Sequence, residues 1–129
     1  MTKTITGYFI DPEQGIAQPR TIEKSLASYY SLLNCSCIDI VTRTIGDKRF
    51  DIICDDEALL KAPSYVSAVY TNGEPALVGS LFVCKFDGRD DVTSLTDEEL
   101  DYVDNYRESV WGVYNNDIHV YRVLTGLGN

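Results

Sequence analysis

Histidine and basic residues are scarce in this chain, and both shortages exclude chemistry. The 129 residues include one histidine, His119, and 11 lysines and arginines against 20 aspartates and glutamates, for a formal charge of −9. Nucleophilic catalysis of the Ser–His or Cys–His kind needs a base beside its nucleophile. His119 instead alternates with Val120 in a strand-like run and reads as a strand residue on the less buried face. A field this negative repels phosphate, which argues against direct nucleic-acid binding and favours a basic protein surface as partner. There is no Gly-x-Ser-x-Gly elbow and no glycine loop to cradle a phosphate.

Long apolar runs are also missing. None reaches the about 18 residues that a membrane helix needs. The start, Met1-Thr2-Lys3-Thr4-Ile5, lacks the charged-then-apolar layout of a signal peptide, so the expected location is the cytoplasm. There the four cysteines, Cys35, Cys37, Cys54 and Cys84, are expected to stay reduced. Cys54 and Cys84 sit in the apolar runs Ile52-Ile53-Cys54 and Leu81-Phe82-Val83-Cys84 and read as buried thiols packed as small hydrophobes. Cys35-Ser36-Cys37 does not have zinc spacing, and His119 is far away. No cofactor or metal is expected.

Core-forming residues are plentiful. Apolar residues make up 44% of the chain, enough to rule against disorder, and nine tyrosines and four phenylalanines are expected to fill much of the interior. The chain reads as one domain over 1–129. Thr4 to Ile10 is a predicted strand, Asp11 to Gly15 a turn, and Arg20 to Glu23 a returning strand. Lys24 to Asn34 reads as a helix, with Ile22, Leu26, Tyr29, Tyr30 and Leu33 on one stripe, Ser25 or Thr21 to cap it and Asn34 to end it. Cys37 to Thr44 and Arg49 to Cys54 alternate as a hairpin about Gly46-Asp47-Lys48, and Asp55 to Leu60 reads as a short helical turn. Ser64 to Tyr70 fits a helix or a strand equally well. Ala76 to Phe86 reads as one central strand buried on both faces.

Thr96 to Trp111 is predicted as the longest helix. Thr96 and Glu99 form its capping box, Leu100, Val103, Tyr106, Val110 and Trp111 its apolar stripe, and Gly112 with Asn115-Asn116 its end. Ile118 to Leu124 is a last strand, and Gly126 to Asn129 a frayed tail. The expected fold class is α+β: a mostly antiparallel sheet with two main helices packed on one face.

The order of motifs resembles a known family. Phe50-Asp51-Ile52-Ile53-Cys54-Asp55-Asp56-Glu57-Ala58-Leu59-Leu60 is followed by Leu77-Val78-Gly79-Ser80-Leu81-Phe82-Val83 and then by Ser94-Leu95-Thr96-Asp97-Glu98-Glu99. This series, entered through a hairpin and helix over 5–34, resembles the domain-of-unknown-function family DUF3846. The resemblance covers roughly 5–100 and leaves 101–129 as a helix end with a C-terminal strand extension. It implies a small accessory protein of phages, plasmids or other mobile elements, and it implies no reaction or catalytic residue.

The acids supply the candidate site. Nine fall between Asp87 and Glu108, and on a helix Asp97, Asp101, Asp104 and Glu108 recur at spacings that put them on one face. With Asp90, Asp91 and the aromatic anchor Trp111, that row has the chemistry to occupy a basic groove and imitate a nucleic-acid backbone. Asp55-Asp56-Glu57 and Asp90-Asp91 have the oxygens that hard cations want, but neither has calcium-loop spacing. The leading expectation is a non-enzymatic binder that inhibits a basic host protein handling nucleic acid or defence, a CRISPR effector for example. A nucleotide-signal module and a metal-dependent hydrolase are the alternatives. A monomer and a homodimer through an open sheet edge both fit.

Overall fold

The computed structural model describes residues 3–61, 65–86 and 91–128, with the backbone alone at 86, 110–114 and 119–121. The first strand, Thr4–Asp11 (β1), pairs along its whole length with Ile16–Glu23 (β2). The helix Leu26–Leu33 (α1) follows. Ser25 Oγ accepts the Ser28 amide at its start, and Asn34 ends it in the left-handed conformation at φ 51°. Ile38–Ile45 (β3) and Lys48–Asp55 (β4) form the second hairpin, and a 3₁₀ turn, Ala58–Leu60, comes next.

The ambiguous stretch resolves as a strand, Val66–Tyr70 (β5). The single strand expected over 76–86 is two strands, Pro75–Val78 (β6) and Leu81–Phe86 (β7). They are separated at Gly79, whose φ of +79° an L side chain adopts only under strain. After Val92–Thr93 (β8) come the helix Asp97–Asp104 (α2) and a hairpin of Arg107–Tyr114 (β9) and Asp117–Gly128 (β10).

The strands form one sheet of order β2-β1-β7-β4-β3-β10-β5-β6, with β8 added to β7 and β9 to β10. The β10–β5 pairing is parallel and the other described pairings are antiparallel, so the sheet is mixed. Among the described residues, two α-helices of eight residues stand against ten strands. The molecule is therefore mostly β, and the expected α+β arrangement with both helices on one face is corrected.

The reason lies in the central strands, whose two parities are both apolar. Phe9, Ile53, Phe82 and Cys84 point to one face, where Tyr29 and Leu33 of α1 cover them. Tyr8, Ile10, Ile52, Leu81 and Val83 point to the other, where Leu100 and Val103 of α2 cover them. A sheet buried on both faces needs a helix on each. Each fully buried aliphatic or Phe side chain contributes about 1.5–3 kcal/mol, so neither face can be left open.

The predicted helix over 96–111 is also about twice the length of the one that forms, Asp97–Asp104. Beyond Asp104 the residues Val110, Trp111, Val113 and Tyr114 favour an extended chain, and the backbone turns at Asn115-Asn116 with φ of 51° and 64°. Positive φ at both central residues is the turn that suits a two-residue hairpin. The expected frayed tail is likewise part of the core. Leu124 and Leu127 are fully buried, and Leu127 pairs with Ile45 on one side and Tyr70 on the other.

Candidate partner-binding surfaces

The acid-rich helix α2 starts as its sequence requires. Thr96 Oγ1 accepts the Glu99 amide, and the Glu99 carboxylate accepts the Thr96 amide at 2.9 Å. Glu99 also takes the Lys85 ammonium at 2.9 Å. Burial pushes its carboxyl up, but the Thr96 amide and Lys85 outweigh that and hold it below the ordinary value. Glu99 is thus part of the scaffold. Asp97, Glu98 and Asp101 remain exposed, and none has an ion-pair partner among the described residues.

The rest of the predicted row is not brought together. The Asp104 carboxylate accepts the hydroxyl of buried Tyr8 at 2.5 Å and has Arg107 Nε at 3.8 Å. Glu108 is exposed but lies on β9 opposite Val123, because the helix has already ended. Asp91 belongs to the α1 side of the sheet. Its carboxylate meets Lys24 at 2.7 Å and is held below the ordinary range by that contact. Asp90 and the side chain of Trp111 lie outside the described residues, as does that of His119.

The other carboxylate run is structural in its first member. Asp55 is buried, meets Lys61 Nζ at 2.6 Å and accepts the Glu57 amide. Lys61 also donates to the Asn34 carbonyl at 2.8 Å, which ties the 3₁₀ turn to the end of α1. Among the described residues no three His, Cys, Asp or Glu side chains converge as a metal site. Burial pushes the thiols of Cys54 and Cys84 up to about 11 and about 12, so both stay protonated and inert at neutral pH.

A family model described as "Domain of unknown function (DUF3846)" matches residues 5–109, which is most of the chain. The chain belongs to the DUF3846 family. No curated protein and no solved structure matches it. The DUF3846 segment spans β1 to the first residues of β9, so α2 lies wholly within it. β10 lies beyond the matched segment, yet it joins β3 to β5 and supplies Leu124 and Leu127 to the core.

The sequence reading missed a second surface on this DUF3846 chain. A groove of about 370 Å³ opens between β6 and the 3₁₀ turn, walled by Val41, Cys54, Leu59 and Leu77 and rimmed by Asp39 and Asp56. Leu59, which lines it, is 78% exposed, and the next residue, Leu60, is 80% exposed. Merging β6 into one long strand hid it. Pro75 at the start of β6 and Gly79 at its end were the available signals, since Pro marks edge strands and Gly marks breaks.

Proposed function

We propose that this DUF3846 protein is a non-enzymatic accessory protein of a mobile element. In this reading it docks the acidic start of α2 on a basic site of a host protein that handles nucleic acid or defence and inhibits it. One observation carries the reading: Asp97, Glu98 and Asp101 are exposed together, without an ion-pair partner among the described residues, on a chain of net charge −9. Carboxylates presented in this way steer association with a basic groove and compete there with phosphates. Asp91, Asp104 and Glu99 are occupied within the fold and contribute less.

The test compares tagged wild type with the triple variant Asp97→Asn, Glu98→Gln, Asp101→Asn, each recovered from a bacterial lysate at moderate and at high salt. The expected result is a co-purifying nucleic-acid-binding protein that leaves at high salt and is retained at least tenfold more weakly by the variant. Equal retention by wild type and variant would overturn the role of α2.

A further inference from the structure

We propose that the groove between β6 and the 3₁₀ turn Ala58–Leu60 is a second docking site, and that its occupant is an extended, basic segment of a partner protein bearing aliphatic side chains. The proposal does not rest on the α2 reading. α2 packs at the turn end of the β3–β4 hairpin, where Tyr102 donates to the Ile45 carbonyl and lies near Lys48, whereas the groove sits at the opposite end, beside Asp39, Cys54 and Asp56.

Three observations define the occupant. The first is apolar exposure. Leu59 is more than three-quarters exposed where it lines the groove, Val41 and Leu77 extend its apolar surface inward, and Leu60, equally exposed, follows Leu59 in the chain. Contiguous apolar surface with a polar rim is the usual mark of an interaction site. The second is an open strand edge. β6 ends the sheet and pairs only with β5 among the described residues. Neighbours of opposite parity, Ala76 and Leu77, both line the groove, so the groove follows the edge of the strand. An extended chain can add there, using main-chain hydrogen bonds for affinity and alternate side chains for specificity.

The third observation is charge. Asp39 and Asp56 are exposed on the rim and have no ion-pair partner among the described residues, while the nearby Lys61 is engaged by Asp55. A segment that seats Leu or Val in the groove therefore gains from Lys or Arg beside them. The same rim disfavours a second copy of this chain, which would bring an identical acidic lip and another nine negative charges.

Fluorescence anisotropy with the full chain tests this. The probes are three labelled octapeptides, alternating Lys-Leu, Lys-Ser and Glu-Leu. The Lys-Leu peptide is expected to bind at least tenfold tighter than the other two. Leu59→Ser and Asp39→Asn are each expected to weaken it fivefold or more, and Asp97→Asn with Asp101→Asn to leave it unchanged. Leu59 and Asp39 are exposed, so loss of binding in these variants is not loss of fold, and circular dichroism verifies it. Equal binding of Lys-Ser, indifference to Leu59→Ser, or no binding of any peptide would each overturn the proposal. A dimer in sedimentation velocity that Leu59→Ser dissolves would also overturn it, by assigning the groove to a second copy. Because the α2 substitutions are measured separately, failure of either surface leaves the other standing.

Discussion

Two contacts at the residue scale tie α2 and the turn after it to the sheet. Gly126 has a φ of +75°, and a Cβ built there would lie 2.6 Å from Cδ1 of Tyr106. The carbonyl of Tyr106 accepts both the amide and the hydroxyl of Thr125 at 2.8 Å, so the backbone that carries the ring is pinned beside Gly126. Gly126→Ala combines left-handed strain with overpacking and is expected to cost about 2–4 kcal/mol in urea denaturation. A loss of under about 0.5 kcal/mol would show that the backbone there is not held as described. A second residue-scale effect concerns Asp104. Buried Tyr8 spends its hydroxyl on this carboxylate, so Asp104→Ala is expected to cost about 1–3 kcal/mol by leaving the hydroxyl unsatisfied. Adding Tyr8→Phe to that variant should recover part of the loss. A double variant less stable than Asp104→Ala alone would refute this account.

At the scale of elements, the sequence was most legible where short-range chemistry decides. Ser25 and Asn34 bound α1 as read, and the Thr96–Glu99 box opens α2. The first two hairpins and the break after Asp55 also follow from turn residues and alternation. The reading failed where helical spacing coincided with strand-forming residues. Leu100 and Val103 do face the core from a helix, but Val110 and Trp111 continue the spacing only by accident. The decisive signal was Asn115-Asn116, read as a helix end although the pair suits a tight hairpin. That error also moved the candidate site, because it placed Glu108 on a helix face that ends at Asp104. Asn116→Val is expected to destabilise the protein by about 1–2 kcal/mol, whereas Asn116→Gly is expected to be neutral or stabilising. Chemical denaturation of the two variants checks the turn, and equal stability would refute the left-handed assignment at φ 64°.

At the scale of the whole molecule, burial on both faces places thiols and phenols where they cannot ionise cheaply. Cys84 is fully buried under α1 and Cys54 lies on the α2 face, and burial raises their thiols from 9.0 to about 12 and about 11. Burial likewise raises the Tyr29 hydroxyl to about 12. Below the ordinary thiol value of 9.0 these groups are protonated in both folded and unfolded chains and do not tilt the balance. Above it the unfolded chain releases protons that the folded chain still holds. The unfolded state then binds fewer protons, and stability falls as pH rises, by up to about 1.4 kcal/mol per pH unit for each such group. The thiols open this window at about pH 9 and Tyr29 adds to it above about pH 10, so stability is expected to fall on the alkaline side. Urea midpoints measured between pH 7 and about pH 10.5 should stay level and then drop. Cys84→Ala should make that drop shallower whatever it does to stability at neutral pH, because it removes one of the groups that must ionise. A profile flat to pH 10.5, or one whose slope Cys84→Ala does not change, would mean that the face beneath α1 admits water and is not the sealed core that covers Phe82 and Ile53.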